Sequence, residues 1–228
     1  MTKHITDLFF DLDHTLWDFD ANSALAFAKV LEKYNIPIHL EDFLSVYKPI
    51  NARYWDDYSY NKISAADLKT GRLRETLNLF SASYHEKELE KMSDSYLKEL
   101  TKNNQLFDDA IPTLKYLYTR YRMHIITNGF STEQYIKINR SGLSGFFKTV
   151  TTSDDAGVKK PDPEIFNKAM SKAETQATSA VMIGDNFDAD ILGADNVGMH
   201  AIHYDYHKED IPEKFRQIDA LSELKKLF

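Results

Sequence analysis

The chain has 228 residues, of which 28 are Lys or Arg and 35 are Asp or Glu, so its formal net charge is −7. With 43% hydrophobic and 28% charged residues, it falls outside the disordered, collagen-like and coiled-coil classes and is typical of a folded globular protein. It contains no cysteine, which excludes thiol nucleophiles, disulfide scaffolds, cysteine-ligated zinc and iron–sulfur clusters. Any metal must therefore be held by oxygen or imidazole ligands.

The charge pattern also limits the possible partners. Basic residues form only short pairs, such as Lys159-Lys160, which predicts that the protein does not bind duplex nucleic acid. Residues 1–7 contain no apolar stretch of the signal-peptide kind, and no apolar run approaches the roughly 18 residues of a membrane-spanning helix. We therefore expect a soluble, cytoplasmic protein with no membrane partner, whose ligand is a small molecule.

Short apolar segments predict five β-strands. The first, Ile5–Phe10, is too short for a helix and ends abruptly in the acidic cluster Asp11-Leu12-Asp13. The other four are Met123–Thr127, Phe147–Thr151, Ala180–Ile183 and Met199–His203.

Helical patterns separate the later strands. Ser131–Arg140 opens with Ser131 and Gln134 as a capping box, Pro163–Ala173 carries proline in its first turn, and Asp188–Asn196 ends before a glycine. Strands that alternate with helices of this length predict right-handed βαβ units. We therefore expect an α/β fold with a Rossmann-like parallel sheet and helices on both of its faces.

The first connection is the exception, because about 110 residues separate Asp13 from Met123 where a crossover needs a dozen or more. Helical periodicity in this stretch, for example over Lys87–Leu100, predicts an inserted domain of about four helices. The predicted division is a main domain, the Rossmann-like core, of residues 1–16 and 107–228 and an inserted helical cap of residues 17–106.

The inserted segment is rich in aromatic residues, which allow two interpretations. They either form the core of the cap, which their helical spacing favours, or stack against a base next to Arg53. The residues in question are Phe43, Tyr47, Tyr54, Trp55, Tyr58 and Tyr60. Trp17 and Phe19, just past the acidic cluster, are better placed for contact with a substrate.

Polar residues follow four of the five predicted strands, at the edge where parallel sheets bind their ligands. They are Asp11, Asp13 and Thr15; Thr127, Asn128 and Gly129; Lys160; and Asp185 and Asp190. Several carboxylates in one crevice repel each other unless a cation lies among them, and Mg²⁺ prefers oxygen ligands of this kind. With Lys160 as a second positive charge, such a site is complementary to a phosphoryl group.

Four of these segments resemble the motifs of the haloacid dehalogenase-like superfamily. They are Asp11-x-Asp13-x-Thr15, Thr127, Lys160 before Pro161, and Gly184-Asp185 followed by Asp190. They occur in the superfamily's order and span essentially the whole chain. The resemblance implies a Rossmann-like core, and the insertion is similar to the superfamily's helical type 1 cap. Three segments are most similar to the pyrimidine 5′-nucleotidase branch, namely Asp11–Phe19, Asn128-Gly129 and Gly184-Asp185-Asn186.

The resemblance implies a role for each residue in a Mg²⁺-dependent phosphatase. Asp11 would attack phosphorus to form an aspartyl phosphate, and Asp13 would act as general acid and then general base. Mg²⁺ would be held by the Asp11 carboxylate, the backbone carbonyl of Asp13 and Asp185. The phosphoryl group would be bound by Thr127, Asn128, Gly129 and Lys160. Asp190 and Thr15 would contact and orient the residues that bind the metal and the phosphate.

Nucleoside 5′-monophosphates are the substrate class we expect. The alternatives are a sugar-phosphate phosphatase, a phosphoglucomutase-like phosphotransferase and, from a different class, a receiver-type phospho-switch without turnover. A receiver module needs no insertion of this length and has no acid–base aspartate at the position of Asp13. That carboxylate also argues for phosphoryl chemistry and against dehalogenation.

Several neighbouring polar residues are expected to lie outside the site. Asp188 is interpreted as a residue of a helix start, and His14 as a residue that shapes the catalytic loop. Lys159 is expected to face solvent. His203, Asp205 and His207 follow the last strand and are predicted to be solvent-exposed polar residues.

Overall fold

The computed structural model describes residues 5–228, and these residues form two compact units. One comprises the described residues up to Phe19 together with Asn104–Phe228, and the other is Asp20–Asn103. Residues 1–4, on which the prediction of an N-terminus without a signal peptide partly rests, lie outside the described residues. No helix within residues 5–228 has the length and hydropathy needed to cross a bilayer.

The first unit is built on a six-stranded sheet in which every pairing is parallel, in the order β3-β2-β1-β4-β5-β6. The strands are β1 (Asp7–Phe10), β2 (Arg122–Thr127), β3 (Thr149–Thr152), β4 (Ala180–Gly184), β5 (His200–Tyr204) and β6 (Arg216–Ile218). The prediction of a parallel α/β sheet is confirmed. The strand β6 was not predicted, because it is a three-residue edge strand with two exposed polar residues.

Helices separate most of the strands of this unit, with two α-helices between β3 and β4 and none between β5 and β6. They are α5 (Ala110–Tyr118), α6 (Ser131–Arg140), α7 (Ser153–Ala156), α8 (Pro163–Ala173), α9 (Gly193–Asn196) and α10 (Leu224–Leu227). One face of the sheet packs against α8 through a buried cluster that includes Phe9, Phe166 and Met182. Burying each of these side chains stabilises the fold by about 1.5–3 kcal/mol and holds α8 against the sheet.

One predicted helix has a different form. The segment predicted as a helix over Asp188–Asn196 begins as a π-helical turn, Phe187–Leu192, and continues as α9. Asn186 caps this turn, because its side-chain oxygen accepts a hydrogen bond from the backbone of Ala189 (2.8 Å). Asp188 lies exposed in the first turn, so the prediction that it belongs to a helix start is correct, but it does not serve as the cap.

The second unit consists of four helices, α1 (Phe19–Lys33, of which Phe19 belongs to the first unit), α2 (Leu40–Ser59), α3 (Ala65–Leu79) and α4 (Glu86–Leu100). Its core is aromatic: Phe27 packs against Phe43, Tyr47 and Tyr96, all of which are buried. The interpretation of Phe43 and Tyr47 as core residues is therefore confirmed, whereas Trp55 is half-buried and Tyr60 exposed. The assignment of residues 17–106 as a cap stays a prediction.

A polar network closes the amino-terminal end of the sheet. Asp7, fully buried at the start of β1, accepts hydrogen bonds from Arg122 (2.8 Å), Thr6 (2.6 Å) and Thr175 (2.8 Å). His124 Nε2 lies 3.0 Å from the same carboxylate, and its Nδ1 lies 2.8 Å from the Thr149 hydroxyl. Because a carboxylate only accepts hydrogen bonds, the neutral His124 ring carries its proton on Nε2. Burial lowers the pKa of His124, although Asp7 opposes this shift.

This network predicts a loss of stability in acid. An imidazole with a lowered pKa in the folded state binds its proton more readily when unfolded, so the free energy of unfolding falls as the pH drops below about 6.5. His124→Gln keeps a donor for Asp7 but cannot titrate. We expect urea denaturation at pH 7.5 and pH 5.5 to show a smaller loss of stability for His124→Gln than for the wild type. An equal loss in both proteins would contradict the assignment.

Candidate active site

The sheet brings the predicted site residues together at its carboxyl-terminal edge. Phe10, the last residue of β1, lies in register with Ile125 of β2 and Ile183 of β4. Asp11 follows Phe10 directly, and Thr127 and Asp185 each come two residues after these register partners. The central position of β1 between β2 and β4 therefore places the ends of three adjacent strands around Asp11.

Lys160 joins two of the carboxylates. Its ammonium group donates to Asp11 Oδ1 (2.6 Å), to Asp190 Oδ1 (2.6 Å) and to the carbonyl of Ile126 (2.9 Å), so all three of its protons are used. The Lys160 side chain is only 3% exposed. Burial alone would lower the pKa of Lys160, but Asp11 and Asp190 raise it, which keeps the ammonium charged.

Asp190 reaches Lys160 from the π-helical turn. Its second oxygen accepts a hydrogen bond from the backbone of Asn186 (3.1 Å) and passes so close to Gly184 that a Cβ atom on that residue would lie 2.2 Å from it. Glycine at position 184 is therefore required by space. Burial raises the pKa of Asp190, and although Lys160 opposes this, Asp185 adds to it.

Asp185 is held by two side chains. Thr15 donates to Asp185 Oδ1 (2.9 Å), and His207 Nε2 lies 3.0 Å from Oδ2. Burial would raise the pKa of Asp185, but the hydrogen bond from His207, the interaction with His14 and the Thr15 hydroxyl lower it below its usual value. Of the buried carboxyls here, Asp185 is thus the one whose surroundings favour the ionised form.

The three buried carboxyls have the composition expected of a divalent hard-metal site. Ligand atoms from Asp11, Asp185 and Asp190 lie within 4.8 Å of one another. Burial raises the pKa of Asp11, Lys160 opposes the shift, and repulsion from Asp190 and Asp185 adds to it, so that this pKa lies well above its ordinary range. One ammonium cannot neutralise three carboxylates, and a divalent cation with oxygen preference fits the remaining charge.

The loop after β2 shapes the site through Thr127, Asn128 and Gly129. Thr127 Oγ1 accepts hydrogen bonds from the Gly129 backbone (3.1 Å) and from Gln134 Nε2 (3.1 Å). The side-chain amide of Asn128 makes two hydrogen bonds with the backbone of Lys160. Its Nδ2 donates to the Lys160 carbonyl (2.9 Å), and its Oδ1 accepts from the Lys160 N–H (2.7 Å). The structure thus places Asn128 where it fixes Lys160, while direct phosphate contact by Asn128 and Gly129 stays a prediction.

Asp13 contacts two residues that the sequence analysis did not assign to the site. Lys137 Nζ donates to Asp13 Oδ1 (2.7 Å) and Oδ2 (2.8 Å), and Gln134 Nε2 donates to Oδ2 (2.8 Å). The predicted capping box of Ser131 and Gln134 is wrong, because α6 is capped at Phe130 without a side-chain hydrogen bond. The signal that was available is the i, i+3 spacing of Gln134 and Lys137, which places both on one face of a helix.

The prediction that His203, Asp205 and His207 are solvent-exposed is wrong for two of the three residues. His203, within β5, and Asp205, directly after it, are buried, and His203 Nε2 lies 2.9 Å from the backbone carbonyl of Asp185. His207 is exposed, as predicted. His207 contacts the Asp185 carboxylate and packs edge-on against His14 and Tyr206. The chain folds back toward Asp185 after β5, a tertiary arrangement that local sequence does not reveal. His14, in a left-handed backbone conformation (φ 61°), shapes the loop and also packs against Tyr206.

Comparison with known proteins agrees with this architecture. The haloacid dehalogenase-like hydrolase family matches residues 8–204. The chain is 30% identical over 224 residues to pyrimidine 5′-nucleotidase YjjG of Escherichia coli, covering 96% of this chain and 95% of that protein. It is also 30% identical over 223 residues to a glyceraldehyde 3-phosphate phosphatase of Pyrococcus abyssi, covering 96% and 90%. The magnesium-bound crystal structure of HAD-hydrolase YfnB of Bacillus subtilis superposes with a TM-score of 0.90 at 29% identity, covering 99% of each chain.

Proposed function

Because the chain belongs to the haloacid dehalogenase-like hydrolase family, we propose that it is a Mg²⁺-dependent phosphatase that hydrolyses nucleoside 5′-monophosphates through an aspartyl phosphate. The observation that carries the proposal is the buried group in which Lys160 bridges Asp11 and Asp190 beside Asp185. A phosphoryl group has three negatively charged oxygens, and the positive charges of a metal and of Lys160 would compensate them. Family membership also favours an enzyme over the receiver-type switch.

The metal would be held by Asp11, Asp185 and the backbone carbonyl of Asp13. When bound, Mg²⁺ neutralises charge on the phosphoryl oxygens and on the carboxylates around it. Lys160 is the second positive charge at Asp11, because its ammonium lies 2.6 Å from Oδ1. It opposes the rise in the pKa of Asp11 that burial and the neighbouring carboxylates cause, and it orients the Asp11 carboxylate.

In the first step, an oxygen of Asp11 attacks phosphorus and forms a new P–O bond. The bond from phosphorus to the ester oxygen breaks, its electron pair goes to that oxygen, and protonated Asp13 supplies the proton that yields the free alcohol. In the second step, water attacks phosphorus and gives its proton to the Asp13 carboxylate. The Asp11–phosphorus bond breaks, its electron pair returns to Asp11, and inorganic phosphate leaves.

Thr127 is suited to hold the phosphoryl group through both steps. Its oxygen already accepts two hydrogen bonds, from Gly129 and Gln134, so the hydroxyl proton is the part of the group that remains for an acceptor. A phosphoryl oxygen next to Asp11 is such an acceptor. Asn128 serves this arrangement indirectly, because it fixes the segment from which Lys160 projects.

Substrate class is the part of the proposal that needs a direct test. The 5′-nucleotidase relative supports nucleotides, and the glyceraldehyde 3-phosphate phosphatase relative supports sugar or triose phosphates as the second candidate. We expect phosphate release from a panel of monophosphates to give kcat/KM values for nucleoside 5′-monophosphates at least about tenfold above those for sugar phosphates, a difference of about 1.4 kcal/mol. Equal or faster release from sugar phosphates would overturn the nucleotidase assignment. Transfer between sugar positions without release would indicate a mutase.

A further inference from the structure

The carboxylate of Asp13 accepts more hydrogen bonds than a partly exposed proton-transfer group needs. Its side chain is 23% exposed, yet both of its oxygens accept hydrogen bonds from α6. Lys137 lies 2.7 Å from Oδ1 and 2.8 Å from Oδ2, and Gln134 lies 2.8 Å from Oδ2. The fork formed by the two carboxylate oxygens is therefore fixed in orientation as well as in position.

Lys137 has no other polar partner among the described residues. Its side chain is 3% exposed, and lysine is rarely buried to this extent unless it is paired. The ammonium also lies 4.3 Å from the ring centroid of Trp17, at a distance typical of a cation–π contact. Trp17 belongs to the same turn as Asp13, because its carbonyl accepts from the His14 N–H (3.0 Å). Lys137 thus holds both ends of the loop that carries Asp13.

Gln134 links Asp13 to the phosphate-side residue Thr127, since its Nε2 donates to both. The amide lies directly above Gly129, where a Cβ atom would be 1.6 Å from Nε2. Its Oε1 is buried and accepts no hydrogen bond from the described residues. A buried amide oxygen without a hydrogen bond costs free energy. Because Gln134 connects Asp13 with Thr127 in spite of this cost, its role lies in the site and not in the packing of α6.

Counting hydrogen bonds distinguishes the two oxygens of Asp13. Oδ2 accepts from both Lys137 and Gln134, so its two lone pairs are occupied, whereas Oδ1 accepts from Lys137 alone. We propose that Lys137 and Gln134 are positioning residues that hold Asp13 so that the remaining lone pair of Oδ1 exchanges the proton with the leaving oxygen and with water. This inference rests on the proposed function, because it concerns the acid–base residue of that reaction.

The positioning role predicts an effect that depends on the leaving group. An alkoxide such as the 5′-oxygen of a nucleoside needs a proton as the ester bond breaks, whereas p-nitrophenolate leaves without one. For Lys137→Met we expect kcat/KM for uridine 5′-monophosphate to fall about 10²-fold, the lower end of the range for acid–base catalysis, with less than about a tenfold change for p-nitrophenyl phosphate. Hydrolysis of the aspartyl phosphate still needs Asp13 as base. The variant should therefore give a burst of p-nitrophenolate followed by slow turnover.

Matched variants separate this role from a structural one. Lys137→Arg keeps a charged donor and should recover part of the lost kcat/KM for the nucleotide. Gly129→Ala, which displaces Gln134, and Gln134→Met should show the same dependence on the leaving group in weaker form. Lys115→Met makes the same chemical change at an exposed position on α5 and should match the wild type on both substrates. Circular dichroism and melting temperature report whether each variant is folded.

The outcomes distinguish this inference from the proposed function. An equal loss of kcat/KM on both substrates in a folded Lys137→Met protein, without a burst, would overturn the positioning role. If Lys137→Met does not fold, the same comparison made with Gln134→Met and Gly129→Ala decides the matter. If the wild type releases no phosphate from uridine 5′-monophosphate or p-nitrophenyl phosphate, the proposed function itself has failed.

Discussion

Asp11→Asn is expected to abolish multiple turnover, with a loss of about 10⁶-fold in kcat, the order of magnitude seen when an enzyme loses its nucleophile. The substitution preserves shape but replaces a carboxylate with a neutral amide that cannot attack phosphorus. It also replaces a charged ligand of the proposed metal with a neutral amide oxygen. Phosphate release measures the loss of turnover, trapping of the acid-stable, radiolabelled phosphoenzyme measures the loss of the covalent step, and titration with Mg²⁺ measures the weakened metal binding.

The same variant should remain folded. Asp11 is buried, and burial together with repulsion from Asp190 and Asp185 raises its pKa, so the carboxylate destabilises its own surroundings when ionised. Lys160 keeps two of its three acceptors, Asp190 and the carbonyl of Ile126. We therefore expect a melting temperature no lower than that of the wild type. Asp188→Asn, at an exposed position in the first turn of the π-helical segment, is the matched control and should retain full activity. Asp11→Asn retaining more than a tenth of wild-type turnover would contradict the assignment of the nucleophile.

Lys160→Met should remove activity and also destabilise the protein. It leaves Asp11 and Asp190 buried without their common counter-charge, and loss of one partner from a buried ion pair costs about 3–5 kcal/mol. Without the ammonium, both carboxyls take up protons more readily in the folded state than in the unfolded state. The variant should therefore regain stability as the pH falls from 7.5 to 5.5, since the folded state then binds the additional protons.

Urea denaturation at both pH values, with and without Mg²⁺, measures this effect. Added Mg²⁺ should restore part of the lost stability, because a ligand that binds only the folded state stabilises it. Lys115→Met makes the same chemical change at an exposed position on α5 and should behave like the wild type. If Lys160→Met were as stable as Lys115→Met at pH 7.5, the carboxylates would not depend on Lys160.

The sequence was informative where chemistry follows directly from chain order. Asp11, Thr127 and Asp185 could be predicted to meet because each stands at the carboxyl end of a short apolar strand, and parallel strands present these ends at one edge. The boundaries of α8 were also predicted correctly, because a proline in the first turn acts locally. The boundaries of α6 were predicted correctly although its expected capping box does not form.

What the sequence did not reveal depends on tertiary structure. Gln134 stands where a capping residue would be expected, and only the position of the Asp13 loop against α6 shows that its amide serves Asp13 and Thr127. His207 lies 22 residues beyond Asp185 in the chain and reaches it because the segment after β5 folds back. No local periodicity encodes either contact.

The position of Asp190 depends on the number of residues in the π-helical turn at Phe187–Leu192. Each residue of an α-helix advances the side-chain direction by about 100°, and a π-turn holds one residue more than the α-turn it replaces. Deleting a single residue here would rotate Asp190 away from Lys160 while leaving every motif residue present in the sequence. The length of this segment is thus as much a determinant of the site as the identity of its aspartate, and a one-residue gap in an alignment at this position deserves the weight normally given to a lost side chain.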